Sequence, residues 1–100
     1  AFERVLERGE AHFKYIWTES TPEEQTVMRM LAEALVGRSD INVPDLQNFG
    51  AQCRCAFGNR EIEALSSLVG RDIVRRNGKL YRFTVPLIEK WVHRTHPVMA

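Results

Sequence analysis

Residues 72–85, DIVRRNGKLYRFTV, restrict the fold of this 100-residue chain more than any other stretch. Asn77-Gly78 stands between two runs rich in β-branched and aromatic residues, the pattern of a tight β-hairpin. Strand alternation puts Val74, Tyr81, Phe83 and Val85 on one face and Arg75, Leu80, Arg82 and Thr84 on the other. A two-residue loop at Asn77-Gly78 sets Arg76 opposite Lys79, with Arg75 and Arg82 close by. Like charges facing each other across a ladder cost stability. The tip is therefore either a solvated turn or a surface kept for an anion.

Around the hairpin the sequence is helical. Residues 2–17 carry Phe2, Val5, Leu6, Phe13, Ile16 and Trp17 at roughly helical spacing, interrupted by Gly9. Thr21-Pro22-Glu23-Glu24 is a helix start: Thr21 caps, Glu24 completes the capping box, and Pro22 takes the first helical position. Val27, Met30, Leu31, Ala34 and Leu35 then give one buried face, and Gly37 closes the helix. Ile41-Asn42-Val43 reads as a short strand, and Pro44 restarts a helix of about 44–52. Residues 51–57 fit a helical continuation or an irregular turn. Asn59 is placed to cap a helix over about 59–69 with Ile62, Leu65, Leu68 and Val69 inward, stopped by Gly70. Pro86 opens the last helix, with Leu87, Ile88, Trp91 and Val92 inward, and Pro97 ends it. The fold class is thus mainly α with a small β-hairpin.

Composition excludes more than it identifies. Hydrophobic content of 44% and charged content of 27% are those of a globular chain, not a disordered one. No apolar run approaches the roughly 20 residues that span a bilayer, and residues 1–17 lack the pattern of a secretory signal. Without an initial Met, and opening in mid-helical pattern, the chain reads as part of a longer protein. Residues 1–50 hold five basic and nine acidic side chains, residues 51–100 nine basic and four acidic. The second half is a footprint for an anionic partner, or packs against an acidic surface. Cys53 and Cys55, as Cys-Arg-Cys, are too close for an unstrained bridge and do not match a zinc spacing with His93 and His96. They read as reduced thiols of a cytoplasmic protein, with no metal and no cofactor expected.

The order helix, short strand, helix, helix, hairpin over residues 21–85 is that of a winged helix-turn-helix domain with flanking N- and C-terminal helices. In sequence, YIWTESTPEEQTVMRMLAEAL and EIEALSSLVGRDIVRRNGKLYRFTVPLIEKWV resemble the C-terminal winged-helix module of bacterial AAA/STAND-type signalling ATPases. The residues that carry the likeness are Trp17, Thr21, Pro22, Glu23, Glu24, Leu65, Leu68, Val69, Arg71, Ile73, Val74, Arg76, Gly78, Tyr81, Arg82, Phe83, Val85, Pro86, Leu87 and Trp91. Most are residues that any winged helix needs for its core and turns. The resemblance implies a connecting helix over 1–17, a winged-helix domain over 18–96 and a tail over 97–100. It also implies a non-catalytic module of a larger signalling protein. No phosphate-binding G-x-x-x-x-G-K-[ST] loop is present, so nucleotide chemistry does not transfer to these residues.

Three uses compete. Ser20, Ser66, Ser67, His12, His93 and His96 have no patterned activating partner, so no enzyme activity is expected of the chain itself. DNA binding is what the fold invites, yet the third helix presents Glu61 and Glu63 against Arg60, with Ala64, Ser66 and Ser67. Anion or nucleic-acid contacts, if made, fall to Arg60, Arg71, Arg75, Arg76, Lys79 and Arg82. The reading preferred from the sequence is interdomain or protein–protein regulation. Its partner is an upstream ATPase domain or another protein, with contacts at Phe13, Tyr15, Trp17 and Trp91; DNA is the alternative partner.

Overall fold

In the computed structural model the residues described are 11–52 and 57–96; Cys53 and Cys55 lie outside them. They form five helices and a three-stranded antiparallel sheet. The elements are α1 (11–18), α2 (Pro22–Ala34), β1 (Ile41–Asn42), α3 (Val43–Gln52), α4 (Asn59–Gly70), β2 (Val74–Asn77), β3 (Leu80–Phe83) and α5 (Pro86–Thr95). The strand order is β1-β3-β2.

α2 is the central helix, packed against α3, α4 and α5. Its start is the capping box expected from Thr21-Pro22-Glu23-Glu24. The Glu24 N–H donates to Thr21 Oγ1 at 3.1 Å, and the Thr21 N–H donates to Glu24 Oε1 at 2.9 Å. Two of the helix's orphan donors are thereby satisfied. The buried face is wider than the spacing predicts: Met28 and Ala32 join Val27, Met30, Leu31 and Leu35, while Ala34 is only half-buried. α2 packs against three helices, and that broadens its apolar stripe beyond one face.

α1 packs on this core through Phe13, Ile16 and Trp17. Ser20 Oγ donates to the Ile16 carbonyl at 2.7 Å and Gln25 Nε2 to the Trp17 carbonyl at 2.8 Å, closing the exposed end of α1.

The hairpin keeps its expected faces but not its loop. The paired residues are Val74–Phe83, Arg75–Arg82, Arg76–Tyr81 and Asn77–Leu80, so the loop is Gly78-Lys79 rather than Asn77-Gly78. Gly78 has φ +64° and Asn77 does not enter the left-handed region, the pattern of a type II′ turn. This register pairs the buried Val74 with the buried Phe83 and lays Arg76 against Tyr81 instead of Lys79. The partner of each β2 residue moves by two positions, so no side chain changes face. Val85 is the exception: it precedes α5 and is 40% exposed, while Ile73 supplies the apolar contact at this end. Asn77→Thr should therefore leave stability unchanged or raise it, because Asn77 is a strand residue. Gly78→Ala should cost about 1 kcal/mol through its left-handed φ alone. Thermal melts of both variants check the register; a cost at Asn77 equal to that at Gly78 would reinstate the other loop.

α4 differs from expectation at both ends. Gly58, not Asn59, occupies the cap, and its N–H donates to Glu61 Oε1 at 2.8 Å. Gly70 is still helical. The chain turns at Asp72, φ +61°, where the Ile73 N–H donates to the Leu68 carbonyl and the Asp72 N–H to the Val69 carbonyl, each at 3.0 Å. These two bonds, with Ile73 and Leu68 both buried, make a Schellman motif whose left-handed position is filled by Asp instead of Gly. Asp72→Gly is expected to raise stability by a few tenths to about 1 kcal/mol. A urea midpoint at or below the parent's would count against it.

Candidate functional site

Two charged surfaces and one aromatic cluster stand out, and each assembles from local rules. The first lies between the start of α2 and the first turns of α4. Thr21, Glu23, Glu24, Arg60, Glu63, Ala64 and Ser67 line an open groove of about 360 Å³ there. Three carboxylates face one guanidinium. Ala64, expected on the outer face of α4, is 6% exposed and forms part of the groove floor.

Glu24 is the fixed point of this surface. Besides its capping bonds it is 5% exposed and holds two further donors on Oε2: Ser67 Oγ at 2.9 Å and Arg71 Nη1 at 3.1 Å. Arg71 Nη1 also donates to Ser20 Oγ at 3.0 Å. Burial pushes the Glu24 carboxyl up. The Thr21 N–H, the Ser67 hydroxyl and Arg71 outweigh it and hold the group below the usual carboxylate range. Arg71, expected among the anion contacts, is thus engaged inside the fold, clamping α4 to α2 and to the end of α1. Ser67 and Arg71 are four apart and share a helix side, which the sequence displays. Their acidic partner, 43 residues before Ser67, carries no sequence signal.

The second surface is the hairpin. Alternation divides its four cations. Arg75 and Arg82 sit opposite each other on the outer face, both exposed, and among the described residues neither forms an ion pair. Arg76 is on the other face, where its Nε donates to the Gly78 carbonyl at 2.8 Å and its guanidinium lies 5.9 Å from the Tyr81 ring centre. With Lys79, Tyr81, Asn42, Val43 and Pro44 it borders a separate open groove of about 460 Å³. Arg60 is exposed on α4, on the acidic groove and apart from the hairpin set. The six cations therefore do not form one patch.

Scanned against protein-family models, curated proteins and solved structures, the chain matches none.

Four aromatic residues anticipated at an interdomain seam have different fates. Phe13 and Trp91 are 6% and 5% exposed and face each other at 6.2 Å, so the core absorbs them. Trp17 is half-buried and Tyr15 is 62% exposed, leaving Tyr15 as the large aromatic on the surface. Trp17 is covered by His96, whose ring stacks on it at 4.0 Å and 7°. His93 is engaged elsewhere, its Nε2 lying 2.7 Å from Glu33 Oε2 across α5 and α2. No group of three or more His, Cys, Asp or Glu side chains among the described residues is arranged to hold a metal ion. No helix among them is long and apolar enough to cross a membrane.

Proposed function

We propose that this chain is a non-catalytic winged-helix module of a larger, cytoplasmic, ATPase-type signalling protein, working by interdomain or protein–protein contact. The element order and the small antiparallel sheet support the winged-helix reading, with α2, α3 and α4 as the three helices and the β2–β3 hairpin as the wing. The observation that carries the functional part is the acidic groove beside α4. A phosphate backbone brought to the helix that would enter a major groove meets Glu23 and Glu63 against Arg60, while the buried Glu24 is neutralised within the fold. DNA binding draws its main attraction from cations on phosphates, and here that attraction is reversed. Arg71, the cation at the end of the same helix, is committed to Glu24. Deleting residues 18–96 from the full-length protein is expected to change its ATP hydrolysis rate or its oligomeric state. An unchanged protein would refute the regulatory role.

One observation favours DNA as the alternative. Arg75 and Arg82 face each other, exposed and without an acid, on the outer side of the wing, and a phosphate between them would relieve their repulsion. Titration of mixed-sequence duplex against the chain and its Arg75→Ala/Lys79→Ala/Arg82→Ala variant separates the two. The regulatory reading expects no binding that the triple change removes. The DNA reading expects binding that weakens with salt, and a salt slope that falls by about one for each phosphate the variant no longer neutralises.

A further inference from the structure

α1 is held to the rest of the fold by an aromatic cluster in which one titratable ring, His96, stacks on its tryptophan. His96, just after α5, stacks on Trp17 of α1 at 4.0 Å between centres and 7° between planes. It also meets the edge of Trp91 of α5 at 5.4 Å. Trp17 in turn lies edge-on to Trp91 at 6.3 Å, and Phe13 lies beside Trp91 at 6.2 Å. The charged group acting on the imidazole is Arg29 of α2; α1 and α5 present it with indole rings.

We propose that His96 is a proton-sensitive latch: neutral, it clasps α1 to α5 through Trp17, and protonated it lets α1 loosen. This rests on the regulatory reading above, with α1 as part of the connecting helix that the resemblance implies, and it names what regulates that connection. Two effects oppose each other when the ring takes a proton. An imidazolium face-on to an indole gains cation–π attraction. Against this, the charge must form in a largely apolar cluster, close to the Arg29 guanidinium, with no carboxylate among the ring's stacking partners. Burial first, and then Arg29, make the ring less basic than a free imidazole. The sign follows. A ring harder to protonate when docked contributes to docking at pH above the ordinary histidine value. That contribution is lost as pH falls through the lowered value. His12 meets Phe13 at 6.2 Å but not Trp17, His93 faces Glu33, and the bonds of Ser20 and Gln25 to the end of α1 involve no titratable group, so His12→Ala, like His93→Ala, should leave the transition in place.

The test uses the 100-residue chain. Amide exchange of α1 and tryptophan emission are followed from neutral to mildly acidic pH, while proton NMR follows the His96 ring. Expected are loss of protection in α1 and a red-shifted emission that track His96 protonation, with α2 and α4 still protected. His96→Phe, which keeps a ring on Trp17 without a proton, should abolish the pH dependence with α1 docked throughout; His93→Ala should retain it. A His96 ring that titrates at or above the ordinary value overturns the latch, whatever the variants do. So does α1 protection that is equal at both ends of the range, or a transition that persists in His96→Phe. None of these outcomes bears on the deletion of residues 18–96, so the latch and the regulatory reading fail separately.

Discussion

Glu24→Ala is expected to lower the unfolding free energy by about 2–4 kcal/mol, read as a fall in the urea midpoint at unchanged slope. The side chain completes the capping box of the central helix, and it holds Ser67 and Arg71 from α4. Alanine removes all three acceptor roles and leaves the Arg71 guanidinium beside an apolar methyl. The full cost of orphaning a buried charge does not apply, because the Arg71 side chain is 32% exposed and water answers part of it. Glu24→Gln should cost less, since an amide oxygen still accepts from one or two of these donors. Thr21→Ala, which removes only a cap, should cost about 1 kcal/mol. If Glu24→Ala proved no worse than Thr21→Ala, the link to α4 would contribute nothing.

The same carboxyl sets an acid limit. Its folded value lies below the unfolded one because the Thr21, Ser67 and Arg71 donors prevail over burial. Stability from this group is present above the unfolded carboxylate value and is lost as pH falls through the folded value. Chemical denaturation at descending pH should show this loss in the parent and its absence in Glu24→Gln. Glu24→Gln removes this loss and leaves His96 in place, so the variant separates the two titrations.

What is legible in the sequence is what short-range rules decide. The capping box at Thr21–Glu24 is local in sequence and appears as expected. The two faces of the hairpin follow from alternation and are indifferent to the loop position, since the slip moves partners by two. The loop itself is ambiguous in sequence because Gly78 suits a turn either as its second residue, after Asn77, or as its first, before Lys79. Pairing Val74 with Phe83 over the core decides between them. The end of α4 is ambiguous for a related reason. Glycine is the usual left-handed residue, but the motif needs an apolar residue immediately after the turn. Ile73, reaching back to Leu68, therefore puts the turn at Asp72. The candidate surfaces are the least legible. Arg71 resembles one cation of a basic cluster because nothing near it in sequence reveals Glu24. Phe13 and Trp91 look available for a partner because they meet each other across 78 residues of chain.

Leu68→Ala should be among the most damaging single changes in the chain, costing about 3–4 kcal/mol in chemical denaturation. Leu68 is fully buried, on the helix that packs against α2, and it supplies the apolar contact that anchors Ile73 at the turn into β2. The change opens a cavity at the α2–α4 seam and weakens the helix end at the same time. Spacing alone makes Ile62, Leu65, Leu68 and Val69 equivalent on α4, whereas the fold buries Leu65 and Leu68 and leaves Ile62 and Val69 half-exposed. Ile62→Ala and Val69→Ala should therefore each cost about 1–2 kcal/mol, in proportion to the smaller apolar area they bury. A ranking in which Val69→Ala matched Leu68→Ala would mean that α4 is rotated from the orientation described. That rotation would also carry Ala64 out of the groove and change which face of α4 meets a partner. The stability series on α4 thus tests the acidic surface on which the regulatory reading stands, before any partner is in hand.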